Sequence, residues 1–252
     1  MDPLQLAILC AAAFATSTLS GMLGLAGGMT LLAVLLLFYD PLVAIPLHGV
    51  IQLVSNASRA WIQREHVERE IALWYALPLL PFGFLGLAIA KQLAPSLARA
   101  LIGGFVLAAT WAPGLLLLGA HPERLQLRRR FLALGSAVGV LNTTVGATGP
   151  LIAPFFLNLG LGRQQVIGTM AACQALGHLA KLAVFGAAGF AFWKFAPSLA
   201  LLCVFVVAGS WVGSRLLDQV GERRFVWIYK AVLTVIALQL VIAELPGLFP
   251  AR

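Results

Sequence analysis

GATGPLIAPFFLNLGLGRQQVIGTMAACQALGHLAK, residues 146 to 181, carries the pattern that decides the fold. It opens on a break of glycine, threonine and proline inside an apolar run, passes through a short apolar arm, and ends in a helix-forming segment with Gln174, His178 and Lys181 at i, i+4 and i+7. That spacing places three polar side chains on one helical face. Residues 24 to 59 align on the same stretch without a gap at a constant offset of 122: Gly24 on Gly146, Gly27 on Gly149, Gln52 on Gln174, Asn56 on His178 and Arg59 on Lys181. Break and stripe are both duplicated, which marks an internal repeat.

The surroundings of the two copies are apolar. The chain has 252 residues, 61% of them hydrophobic and 10% charged, with a mean hydropathy of +0.95. A soluble domain of that length needs more charge on its surface, so lipid is the solvent for most of the chain. The net charge of +8 sits in short loops between apolar runs, which is a pattern of membrane orientation and not of nucleic-acid binding. The first residues, MDPLQLAILC, lack the basic start of a signal peptide, so the first apolar run is expected to remain in the mature protein. Cys10, Cys173 and Cys203 fall inside apolar runs without ligand spacing; they read as small core residues, with no disulfide, metal or other cofactor implied.

Apolar runs fall at 3–38, 41–62, 71–90, 98–119, 131–160, 165–191, 196–217 and 225–249. Most match the roughly 20 residues that a helix needs to cross a bilayer. The first and fifth are longer and interrupted, one by Ser20, Gly21, Gly24, Gly27 and Gly28, the other by Asn142, Thr143, Thr144, Gly146, Thr148, Gly149 and Pro150. Such breaks survive at membrane depth where protein or a wet cavity satisfies the freed backbone groups, so each is read as a hairpin of two helical arms. A hairpin followed by three spans reverses direction between copies. The expected fold is therefore an all-α integral membrane protein of two inverted-topology repeats, each a broken-helix hairpin plus three transmembrane helices. Residues 1–120 form the first repeat, 121–130 a basic cytoplasmic linker, and 131–252 the second repeat. Charge agrees: Arg59, Arg64, Arg69, Arg124, Arg128, Arg129, Arg130, Arg163, Arg215, Arg223 and Arg224 fall on one side, against Lys91, Arg99, Lys194 and Arg252 on the other. The positive-inside rule then puts both termini outside.

The acidic residues all lie in loops, at span ends or at a terminus, so no carboxylate is expected at mid-membrane. Cation carriers place Asp or Glu there; an inventory of Ser, Thr, Asn, Gln, His, Arg and Lys donates hydrogen bonds and suits an anion. A half-helix starting at Gly27 and Gly28, or at Gly149, would turn free N–H groups and a positive dipole end toward the bilayer centre. Glycines there can also serve close helix packing. Gly24, Gly27, Gly28, Thr143, Thr144, Gly146, Thr148 and Gly149 are the candidate oxyanion ligands, with Gln52 and Gln174 completing the shell and Asn56 and His178 lining two paths. The stripe residues would also work as interhelical glue, at about 0.6–2 kcal/mol per bond; duplication beside a duplicated break favours a ligand. Arg59, near the cytoplasmic end of its span, can snorkel, whereas Lys181 lies deeper and could draw in or release an anion. Histidine is the side chain that ordinarily titrates near neutral pH, so His48 and His178 are the candidates for proton coupling.

The segments SGMLGLAGGMTLL (20–32), GVLNTTVGATGPLIAPFFL (139–157) and VIGTMAACQALGHLAK (166–181) together resemble the TauE/SafE sulfite exporter family. That resemblance implies a bacterial inner-membrane secondary transporter that exports sulfite or an organosulfonate. The family's breaks usually carry consecutive glycines, whereas Ala26 interrupts the first here and Thr148 and Pro150 alter the second. Expected partners are a small anionic substrate and the lipid bilayer. A flippase for an anionic lipid carrier could use the same positive tips. An intramembrane enzyme is disfavoured by two isolated histidines, no core carboxylate and no G-x-S-x-G motif.

Overall fold

The computed structural model describes residues 2–23, 27–119, 121–156, 159–216 and 222–244, and its regular elements are all helices among them. α1 (Pro3–Leu23) and α2 (Gly27–Leu36) pack on each other as a hairpin and are followed by α3 (Pro41–Ile62). Next come α4 (Arg69–Ala76), α5 (Leu79–Gln92) and α6 (Pro95–Trp111). The chain then enters α7 (Leu127–Thr144), a short α8 (Gly149–Ile152) extended by a 3₁₀ turn at Ala153–Phe156, and α9 (Arg163–Ala187), α10 (Ala196–Leu216) and α11 (Glu222–Ile242). Three segments, Arg69–Gln92, Arg163–Ala187 and Phe192–Gly213, are long and apolar enough to cross a membrane by length and composition. Trp61, Trp111, Trp193 and Trp227 all lie exposed near helix ends, in keeping with an aromatic belt.

Four packing pairs hold the bundle: α1 with α10, α3 with α9, α5 with α7, and α6 with α11. Glycines line these seams, most tightly in two of them. Between α5 and α7, a Cβ on Gly86 would run into the Thr143 hydroxyl and the Val140 carbonyl, and one on Gly139 would lie 2.8 Å from Phe82 Cβ. Between α1 and α10, a Cβ on Gly209 or Gly213 would strike the carbonyls of Phe14 and Thr18. Apolar side chains gain little by leaving lipid for protein, so small residues that let backbones approach supply the packing instead.

The ends of the bundle are polar. Arg99 donates to Asp40 at 2.6 Å and to Glu244 at 3.0 Å, joining the starts of α3 and α6 to the end of α11. At the other end of α3, Gln165 donates to Glu68 at 2.6 Å, and the Glu68 amide donates to Thr169 at 2.9 Å.

Several boundaries differ from the sequence expectation. α1 continues through Ser20 and Gly21, and Asn142 to Thr144 are helical. The Thr143 and Thr144 hydroxyls bond back to carbonyls of the preceding turn, which keeps these polar residues inside a helix. α6 stops at Trp111, short of the expected 119, because Pro113 has no amide to donate and disfavours helix at Ala112. The second arm is a single α turn, since Pro150 and Pro154 both withhold donors. Residues 127 to 130 form the first turn of α7: Arg128 stacks on Trp74 at 4.4 Å, and buried Arg130 donates to the Pro154 carbonyl at 3.4 Å.

Replacing Gly209 by Val should force α1 from α10 and lower stability by about 3 kcal/mol. Gly104→Ala, where an added Cβ meets nothing within 4 Å, should not lower it. Thermal unfolding in detergent compares the two.

Candidate functional site

At mid-length of α3 and α9, the two stripes face one another across a partly open, polar-lined cavity. Its walls include Gln52 and His48 from α3, Gln174 and His178 from α9, Gly28 and Met29 from α2, and Ala147, Thr148 and Gly149 from the second break. Arg59, Tyr75 and Asn142 complete it. The cavity is narrow, about 20 Å³, and part of its lining is solvent-accessible. Helical periodicity explains the gathering: on α3, His48, Gln52 and Arg59 recur at i, i+4 and i+11, and on α9 Gln174 and His178 recur at i and i+4, so each helix turns one polar stripe toward the other.

The α2 end is fitted closely against α3. A Cβ on Gly28 would lie 3.2 Å from the Gln52 amide, so the glycine makes room for that side chain. The Gly28 carbonyl accepts from His48 Nε2 at 2.9 Å; a carbonyl only accepts, so Nε2 carries the proton. The His48 and His178 rings meet edge to face with centroids 5.6 Å apart. His178 Nδ1 has no hydrogen-bond partner among the described residues.

Lys181 is 1% exposed and donates from Nζ to the Gly146 carbonyl at 2.7 Å. Its stem lies against Gly49, where a Cβ would come within 2.9 Å of Lys181 Cδ. The lysine therefore sits behind the cavity wall and braces the break that precedes Thr148. Gly146 has φ +88°, a conformation that favours glycine, and a Cβ there would press on Ile45 and Leu32 at 2.9 Å. Arg59 turns inward to the cavity, where Asn56 Oδ1 accepts from it at 2.5 Å, so it does not snorkel to the interface. Asn56 is fully buried one turn behind, with its own amide donating to the Gln52 carbonyl at 2.9 Å. Among the described residues the buried charged side chains are Arg130 and Lys181, and no carboxylate is buried.

The structure thus brings Gly28, His48, Gln52, Arg59, Thr148, Gly149, Gln174 and His178 to one cavity. Asn56, Gly146 and Lys181 support its walls. Thr143 is elsewhere: its hydroxyl reaches the Gly83 carbonyl at 3.1 Å in the α5–α7 seam. Thr144 lines a separate, mostly apolar cavity of about 210 Å³ beside Asp40. Gly27 begins α2, and Gly24 lies outside the described residues. Met29, Tyr75, Asn142 and Ala147 line the cavity without having been singled out for it. Asn142 stands beside the second break in sequence, which is a usable signal. Tyr75 opens an apolar span, where an aromatic residue reads as interface anchor.

A family model described as Sulfite exporter TauE/SafE matches residues 9–240 of the chain. No curated protein and no solved structure matches it.

Gly146→Ala combines an unfavourable φ with a clash and should cost about 2–4 kcal/mol. At Gly160, also at positive φ but with open space around it, Ala should cost only about 1 kcal/mol. Unfolding midpoints of the two variants test whether the break is packed as described.

Proposed function

The chain belongs to the TauE/SafE sulfite exporter family, and from that premise we propose that it is a secondary transporter that exports sulfite or an organosulfonate, holding the anion in the cavity between Gln52 and Gln174. The family suggests a membrane transporter of sulfite or sulfonate type. The observation that carries the rest is a cavity lined by amide, imidazole, guanidinium and hydroxyl groups, with no carboxylate in its lining and none buried among the described residues. A cation finds no counter-charge there, and an anion finds donors on several sides.

Alternating access fits the packing. Exchanging α1 with α7, α3 with α9, α5 with α10 and α6 with α11 turns the α1–α10 seam into the α7–α5 seam and leaves the other two pairs unchanged. That exchange supports two inverted repeats, 1–120 and 131–252, with the cavity on their pseudo-symmetry axis. The side assignment is supported by Asp40, Arg99 and Glu244 meeting at one end and Glu68, Gln165 and Thr169 at the other. In this reading the first end faces outward, the second faces the cytoplasm, and the lipid is that of a bacterial inner membrane. A cavity this narrow has no room for a lipid headgroup with its chains, which argues against the flippase reading. The adjoining His48 and His178 rings are the groups proposed to take up a proton with it.

Gln174→Leu is nearly isosteric and removes the amide. It should leave the unfolding midpoint within a few degrees and abolish sulfite transport in proteoliposomes. Transport at the wild-type rate would remove Gln174 from the site.

A further inference from the structure

Tyr75 is fully buried, and its hydroxyl has no hydrogen-bond partner among the described residues although it lies in the cavity wall. An orphan hydroxyl in a buried, membrane-embedded region is costly, and a phenylalanine would fill the same space without that cost. The surrounding chain makes specific room for it. At Gly177 on α9 a Cβ would lie 2.9 Å from the Tyr75 hydroxyl oxygen and 3.3 Å from Asn142 Nδ2, so an alanine would crowd both groups. Asn142 Nδ2 is already committed to the Gly177 carbonyl at 2.8 Å, which fixes the amide and leaves its Oδ1 without a partner too. Tyr75 and Asn142 both line the cavity, and the hydroxyl and Oδ1 are not bonded to each other. At the other end of the residue, the Tyr75 carbonyl rests against Gly135 of α7. The ring is therefore pinned by α7 and α9 while it is carried by α4, and its single donor is held at the cavity without an acceptor.

We propose that Tyr75 is a substrate-binding residue, its hydroxyl donating to the bound oxyanion, with Gly177 as the notch that permits this; the assignment rests on the anion-transport reading of the same cavity. The phenol is a neutral donor in a lining that also holds the Arg59 guanidinium, so it orients the anion without adding charge. It also couples α4 to α7 and α9 through the ligand, since occupancy gives the hydroxyl the acceptor it otherwise lacks.

The test uses the purified full chain in detergent, with sodium sulfite as probe and sodium chloride at matched ionic strength as control. Wild type should show a sulfite-dependent rise in unfolding midpoint, as mass action requires of a ligand that binds the native state. Tyr75→Phe should unfold at the same or a higher temperature without sulfite, and bind sulfite about tenfold more weakly or worse, the scale of one hydrogen bond to a charged group. Gly177→Ala should also weaken sulfite binding, and should cost clearly less in the Tyr75→Phe background, where only its looser contact with Asn142 at 3.3 Å remains. Tyr75→Phe that binds sulfite as wild type does overturns the assignment. A fall in its sulfite-free stability overturns it too, because the hydroxyl would then have been bonded in the empty site. Absence of any sulfite response in the wild type overturns the anion reading itself.

Discussion

The bond from Lys181 Nζ to the Gly146 carbonyl ties the second chain break to the middle of the molecule. A helix that stops inside an apolar bundle leaves carbonyls without donors, and each must be met by protein. Here a lysine one long helix away reaches back along its own repeat, and Gly49 leaves the space its stem requires. Because α9 supplies both the lysine and the stripe, the bond fixes Thr148 and Gly149 opposite Gln174 and His178. The first break is tied by a different device, the His48 donation to the Gly28 carbonyl. Two breaks that could each wander are thereby brought to one cavity.

The same ties set its electrostatics. Burying an ammonium is expensive unless the charge is paired or strongly hydrogen-bonded, and the described core offers Lys181 a carbonyl and no carboxylate. Arg59 is held at the cavity by Asn56 in the same manner, through a neutral oxygen. In the proposed reading, an oxyanion between the stripes would share the cavity with the Arg59 guanidinium. The glycine seams at Gly86 and Gly209 matter to the same end, because they bring α7 and α1 close to their partners while the polar stripes stay on α3 and α9.

Much of the arrangement was legible in the chain because it depends on periodicity and on breaks. The duplicated offset located both chain breaks, and the stripe Gln174, His178 with its counterpart Gln52 reached the cavity as the 3.6-residue period dictates. Local chemistry within the helices was harder to read. Thr143 and Thr144 looked like part of the break because they are polar, yet a threonine hydroxyl can bond its own preceding turn and stay helical. Arg59 looked like a snorkelling residue because it lies near a span end, and only the position of Asn56 one turn back shows why it turns inward. Tyr75 left no sequence signal at all, since its role comes from Gly177, about a hundred residues away in the chain and visible only once α4 and α9 pack together.

The central claim is an anion held between Gln52 and Gln174, and selenite offers a direct probe, being a pyramidal oxyanion like sulfite with a strongly scattering centre. A structure of the protein determined with selenite, phased at the selenium edge, should place an anomalous peak inside the cavity, within hydrogen-bonding reach of Gln52 and Gln174. An empty cavity at saturating selenite, or a peak confined to the loops, would contradict it.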